Sequence, residues 1–516
     1  MKKIKFYLHG LVYSFFAPIA VYVSDSGDVI ISSPHSIWRM VLFCVLLCLL
    51  VGLISFLVFR EHSSAGLVSL LFVLAVFYTW PYFLLLLSSI ILYWILLGVT
   101  LKKIDFETHP HISALMISVV VSIYFGIKYV GLVTNADWDE TKSMAQSLEA
   151  SGSRQGEGGN SPDIYYIVLD GYGGTEMIKK LHGYDNIQFI LDLEKRGFVV
   201  PSESKPNYAR TLFSLTSTLN MQYLDSVSKK MGSSDLWWPL MGTITHNETR
   251  KLLESLGYKT VSVTSGFDFT TYKDADVYIQ LYPIFLNEFE ETYFLQTNLS
   301  RLKFLNRLGV SFPSYDTHRQ IILNNFEQLQ EIPKIASPKF VFVHILAPHA
   351  PFVFDGQGGA VTPAYEFSLI DGRNSFSLPA VYHKGYVDTL KFLNVKILEA
   401  VDEIIKKSAT PPIIILQGDH GSGLYIDYHS AADTCMYERF SILNAYYLPD
   451  IKGRPVIPED ITPVNTFRII FNQYFGAGFE ILPNRYYFST NSAMYQFEDI
   501  QDRMDIPCLS AEGEKH

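Results

Sequence analysis

The sequence predicts a two-part protein: a bundle of about five membrane-spanning helices, then an α/β domain built on a mainly parallel sheet. Three observations lead there. Apolar runs approaching the roughly 20 residues that cross a bilayer crowd into the stretch before residue 135. A polar, Gly- and Ser-rich segment follows. Beyond it, β-rich runs alternate with stretches carrying apolar residues at helical spacing. Composition agrees, because 48% hydrophobic content over 516 residues is too apolar for one ordinary soluble domain, while 18% charged residues are too many for a wholly membrane-embedded chain. A formal net charge of −10 argues against phosphate-backbone binding by the chain as a whole, so nucleic acid is not an expected partner.

The first apolar run, "FYLHGLVYSFFAPIAVYV", contains His9 and Pro18 and is the weakest. A signal peptide is the alternative, but no small-residue cleavage site follows, and Asp25 and Asp28 come next. The other four are "WRMVLFCVLLCLLVGLISFLVFR", "AGLVSLLFVLAVFYTW", "PYFLLLLSSIILYWILLGV" and "HISALMISVVVSIYFGIKYVGLV". With five spans and a cytoplasmic amino end, Lys2, Lys3, Lys5, Arg60, Lys102 and Lys103 fall inside, against Arg39 and Lys142 outside. The positive-inside rule then puts everything after residue 135 outside the cytoplasm; four spans would reverse that. Residues 136–162 have the composition of a flexible connector. The expected domains are therefore 1–135 in the membrane, 136–162 as linker and 163–516 as the folded extracytoplasmic part.

In that last part "DIYYIVLD", "GYKTVSVT", "KFVFVHIL", "PPIIILQG" and "FSILNAYYL" read as strands. "NETRKLLESLG", "THRQIILNNFEQLQEI" and "YVDTLKFLNVKILEAVDEIIKK" read as helices, and "PVNTFRIIFNQYFG" as an amphipathic closing helix in which Arg468 is structural. Cys44 and Cys48 lie in a span, which leaves Cys435 and Cys508 as the pair that could bridge in an oxidising compartment.

The chemistry gathers at strand ends. "IVLDGYGG" delivers Asp170 from the first strand to a Gly-flanked turn, and "LQGDHGSG" delivers Asp419 and His420 in the same way. A lone Asp before Gly is an ordinary turn residue. Two of them on one sheet, with a histidine beside one, form a set that can share a divalent cation, because ligands collect at the carboxyl ends of parallel strands. Between them, "NYARTLFSLTSTLNMQYL" puts Thr211 in the first turn of a helix, where it serves either as a cap or as a nucleophile beside free backbone N–H groups and the cation. "FVFVHILAPHAPFVFD" adds His344 and His349, and "LYIDYHSAAD" adds His429; each has a packing or surface reading beside a role on the substrate.

This order of motifs resembles the alkaline phosphatase superfamily, in its sulfatase-like branch, and within it the membrane-anchored lipoteichoic acid synthase and lipid A phosphoethanolamine transferases. The resemblance implies that Asp170, Thr211, Asp419 and His420 hold one divalent cation, Zn²⁺ or Mn²⁺, with Thr211 as nucleophile. It implies that His349, and with it His344 and His429, meet the transferred group. Asp170 stands where the transferases carry Glu, and no Asp-x-x-x-His pair matches the second zinc site of the phosphatases. Sulfatases of the superfamily need a Cys or Ser within a Cys/Ser-x-Pro-x-Arg signature; "TLFSL" has neither the Pro nor the Arg. The expected activity is a transferase that moves a phosphoethanolamine- or phosphoglycerol-type group from a membrane phospholipid to a surface glycan or glycolipid, in a bacterial-type inner membrane with a periplasmic catalytic domain. The alternatives are a sulfatase- or phosphodiesterase-type hydrolase and a non-catalytic relative in envelope assembly.

Overall fold

The computed structural model describes residues 5–24, 34–77, 114, 117, 120, 122–130, 161–234, 237–282, 284–301, 310–311, 314–365, 367–369, 379–449, 457–504 and 508. They form two compact units: 1–138 together with 282–312, and 139–281 together with 313–516.

In the first unit, helices α1 (Lys5–Ser24) and α2 (Trp38–Phe59) are long and apolar enough to cross a membrane, and α3 (His62–Phe77) is a shorter apolar helix. Two of the five expected spans thus appear at full length. The third run is helical as far as Phe77, the fourth lies outside the described residues, and the fifth is helical over 122–130. Small residues let the helices close up: a Cβ on Gly66 would lie 2.0 Å from the Phe6 carbonyl oxygen.

Residues 282–312, read from the sequence as part of the catalytic domain, pack with these helices. Their helix α5 (Glu288–Gln296) opens with Asn287 and Glu290 in a capping box. Glu290 also meets Arg39 at 3.1 Å, the Asn287 amide donates to the Ser36 carbonyl at 3.2 Å, and the buried Tyr293 hydroxyl donates to the Phe77 carbonyl at 2.8 Å.

The second unit is built on a seven-stranded sheet. Its strands are β1 (Ile164–Leu169), β2 (Phe198–Val199), β3 (Lys259–Val263), β4 (Val277–Ile279), β5 (Lys339–Ile345), β6 (Ile413–Gln417) and β7 (Asn444–Tyr447), in the order β2-β7-β6-β1-β5-β3-β4. β1 runs parallel to both β5 and β6, β3 runs parallel to β5 and β4, and β7 alone is reversed. All five strands expected from the sequence are present; β2 and β4 are additional edge strands of two and three residues. β1, β5 and β6 are buried along their whole length, which is why they read as unbroken apolar runs: both faces are covered, on one side by the long helix Pro379–Lys407.

Asp163, just ahead of β1, ties the amino-terminal edge of the sheet. Its carboxylate pairs with buried Lys339 at the start of β5 and accepts the Lys339 backbone N–H at 3.0 Å. The opposite edge carries the site. Cys435 and Cys508 are joined as a disulfide, their Cα atoms 5.0 Å apart, and Arg468 anchors two carbonyls, of Met221 and Glu480, as a structural residue.

Candidate active site

Asp170 leaves β1 and Asp419 follows β6, the central neighbours of the sheet, so their carboxylates arrive at one rim. The register Val168↔His344 brings His344, near the end of β5, to the same rim from the other side. The glycines around these acids answer to close packing. Gly171 sits at φ +74 and donates its N–H to Asp419 Oδ1 at 3.1 Å, a conformation that favours a residue without Cβ. A Cβ on Gly418 would stand 2.3 Å from the Tyr172 carbonyl oxygen, and one on Gly421 would stand 2.0 Å from that of Glu438.

The three ligand-type groups converge. Asp170, His344 and Asp419 each offer an atom within 4.8 Å of the others, and all three are buried. His344 Nε2 is 3.2 Å from Asp170 Oδ2, while His420 Nε2 is 3.2 Å from Asp419 Oδ2 and 3.5 Å from Asp170 Oδ1. Yet among the described residues both oxygens of Asp170, Oδ2 of Asp419 and Nε2 of His344 have no hydrogen-bond partner. Buried carboxylate oxygens in that condition are costly, and a divalent cation among them would satisfy all four atoms at once. The donor set, carboxylates plus imidazole, fits Zn²⁺ or Mn²⁺.

Thr211 opens helix α4 (Thr211–Asn220) at the mouth of this cluster, half-buried where the acids are fully buried. Its Oγ1 lies 3.0 Å from His420 Nε2. The histidine's tautomer follows from its other contact: Nδ1 is 3.0 Å from the Gly421 carbonyl, which only accepts, so Nδ1 carries the hydrogen and Nε2 presents its lone pair to the threonine and the acids. His344 is oriented by Thr270, whose hydroxyl lies 2.9 Å from its Nδ1. Ser214, one turn along α4, donates to the Asp419 carbonyl at 2.7 Å and locks the helix to the loop.

The local field is uneven. Burial pushes the Asp419 carboxyl up, and the Asp170 carboxylate beside it pushes the same way, to about 6. Burial acts upward on Asp170 too, but His349, His344 and His420 outweigh it and hold that carboxyl below the usual range. Burial, and after it the Arg439 guanidinium, keep His420 well below the ordinary imidazole value.

Of the residues expected from the sequence, Asp170, Thr211, Asp419 and His420 come together. His344, expected among the groups meeting the substrate, stands among the groups that could hold a metal ion. His349 reaches the same rim: its backbone N–H donates to the Asp170 carbonyl at 2.9 Å, its ring centre is 6.4 Å from that of His420, and its Nδ1 donates to the Ala350 carbonyl at 2.6 Å. His429 is exposed in a turn where its backbone N–H donates to Asp427 at 2.8 Å. Among the described residues no hydrogen bond or ion pair links His429 to the acids. Sequence reasoning passed over His318. It is buried on the helix Tyr315–Glu331, its Nε2 has no hydrogen-bond partner among the described residues, and burial, then His349, depress its pKa to about 3.

No protein-family model matches the chain, and no curated protein matches it. Among solved structures the fold is similar to the C-terminal periplasmic domain of EcEptC from Escherichia coli in complex with Zn, at 12% identity and TM-score 0.43, covering 68% of this chain and 95% of that one. It is also similar to the soluble domain of lipooligosaccharide phosphoethanolamine transferase A from Neisseria meningitidis, at 13% identity and TM-score 0.36, covering 63% of this chain and 91% of that one. A third is a protein in the alkaline phosphatase superfamily from Vibrio parahaemolyticus, at 12% identity and TM-score 0.37, covering 73% and 92%. The functional reading rests on the site's own geometry.

Proposed function

We propose that this protein is a metal-dependent membrane transferase that moves a phospho-headgroup, of phosphoethanolamine or phosphoglycerol type, from a membrane phospholipid to a surface glycan or glycolipid by way of a phosphothreonine at Thr211. The observation that carries the reading is the Thr211 hydroxyl, 3.0 Å from His420 Nε2 at a helix start, over a buried cluster of carboxylate oxygens without hydrogen-bond partners.

Asp170, Asp419, His420 and His344 would hold the cation. When bound, it supplies charge neutralisation at the phospho group and favours the alkoxide of the threonine. The rest is work for the chain. Thr211 Oγ1 gives its electron pair to phosphorus while the bond from phosphorus to the diacylglycerol oxygen breaks, and the hydroxyl proton passes to a base of the cluster. The free N–H groups at the start of α4 face the anionic oxygens. His349, with Nδ1 already donating to a carbonyl, offers a proton from Nε2 to the departing diacylglycerol oxygen when protonated. In the second half an acceptor hydroxyl attacks the phosphothreonine and gives its proton to the now neutral His349, while the bond from phosphorus to Thr211 Oγ1 breaks and the cluster returns its proton to that oxygen.

Five spans with an extracytoplasmic catalytic domain complete the proposal, and the Cys435–Cys508 bridge supports it, because such bonds persist in oxidising compartments. The test incubates the full-length protein in detergent with phosphatidylethanolamine or phosphatidylglycerol vesicles. The expected result is a headgroup-phosphate adduct on the Thr211 peptide by mass spectrometry and diacylglycerol in the lipid extract, both lost in Thr211→Ala. Full activity in that variant overturns the nucleophile. Adduct turnover without any acceptor glycan would favour a hydrolase.

A further inference from the structure

Two segments far apart in sequence must be held close for Thr211 and His420 to face one another, and beside the Ser214 tether to the Asp419 carbonyl a second group reaches both. Arg439, in the short helix Met436–Arg439, is only 2% exposed. Its Nε donates to the Ala209 carbonyl at 2.7 Å, two residues before Thr211. Its Nη1 donates to the Gly421 carbonyl at 3.1 Å, one residue after His420 and the same oxygen that fixes the His420 tautomer. Its Nη2 donates to the Tyr428 hydroxyl at 2.7 Å. In return the Gly421 N–H donates to the Arg439 carbonyl at 2.8 Å.

We propose that Arg439 is a positioning residue for this site, setting the gap between Thr211 and His420 by gripping the backbone on both sides of it. The inference rests on the functional reading above. A planar guanidinium suits the task, since its rigid fork offers donors in several fixed directions at once, whereas an ammonium on a flexible stem cannot hold two carbonyls at a set separation. The grip acts on the ligand histidine through the Gly421 carbonyl, as outer partners of metal ligands do, and loss of such partners costs about 10- to 100-fold in metal affinity or activity.

The test compares full-length wild type, Arg439→Lys and Tyr428→Phe in detergent. Zn²⁺ affinity is read by competition with a chromophoric chelator, alongside kcat, KM and thermal unfolding. Arg439→Lys keeps the charge and is expected to bind Zn²⁺ about 10- to 100-fold more weakly and to lose kcat by a similar factor with KM little changed. Tyr428→Phe, which frees only Nη2, is expected to move the same quantities in the same direction by less. A purely structural role would lower the melting temperature and leave Zn²⁺ affinity and kcat of the folded protein alone. If wild type binds Zn²⁺ and forms the Thr211 adduct while both variants stay within twofold of it, the Arg439 proposal is overturned and the functional reading stands. If wild type does neither, the functional reading itself fails and takes this proposal with it.

Discussion

The Ser214 hydroxyl donates to the main-chain carbonyl of Asp419 at 2.7 Å, so the helix that begins with Thr211 is fastened to the loop that carries the acid and the histidine. The threonine is thereby pre-placed, and the proposed nucleophilic role can be separated from its contribution to folding.

That separation is testable. Thr211→Ala is expected to abolish turnover by at least about 10³-fold, the scale on which a nucleophile's removal is felt. Thr211→Ser should retain part of the activity. Because Thr211 is half-buried and not the cap of its own helix, denaturant midpoints of both variants should stay close to wild type.

The buried carboxylate of Asp170 is favoured by the histidines around it, and a cation would add to that. In chelated protein, Asp170→Asn is expected to lower stability, since burial is outweighed by His349, His344 and His420, which hold the Asp170 carboxyl below its usual range. In the presence of Zn²⁺ the gap should widen: wild type should gain about 2.7 kcal/mol at a hundredfold excess over Kd, and Asp170→Asn should gain far less. Thermal melts with and without metal check this. A variant that gains as much as wild type would show that Asp170 is not a ligand.

Acid should weaken the fold through two buried histidines. Burial, then His383, lowers His182 to about 3, and burial, then His349, lowers His318 to about 3. The unfolded chain binds a proton at each near the ordinary value of about 6.5, while the native state does not until about 3. Between those limits the unfolded state holds more protons, so stability falls as pH drops, by up to about 1.4 kcal/mol per pH unit for each histidine. Urea titrations of chelated protein at pH 7.5 and 5 should show the loss, and His182→Asn should flatten it.

The Asp163–Lys339 pair lies at the other end of the sheet, with both side chains essentially buried. Removing one partner strands a charge, so Asp163→Ala should cost about 3–5 kcal/mol, and Asp163→Ala combined with Lys339→Met should recover much of it. Neither change should alter Zn²⁺ affinity, because the pair sits at the edge opposite the acids.

Much of the second unit was legible because its signals are local. Strands buried on both faces spell unbroken apolar runs, and "PPIIILQG" led straight to Asp419 and His420. β2 and β4 were not legible, since edges of two and three residues carry no period. His318 sits in a stretch whose helical spacing describes core contacts and says nothing of what lies across from one imidazole. His344 and His349 could not be assigned their different surroundings until the register Val168↔His344 showed which strand end faced the acids. Arg439 lies in no motif at all; its partners at 209 and 421 are set by tertiary structure.

The fastening of 282–312 to the apolar helices has a practical corollary. A truncation that begins after the linker would leave Phe289, Tyr293 and Phe294 without the residues that now shield them, among them Tyr22, Phe43 and Cys44. Such a fragment would be sticky and prone to precipitate, and a well-behaved soluble version would have to lose that excursion as well.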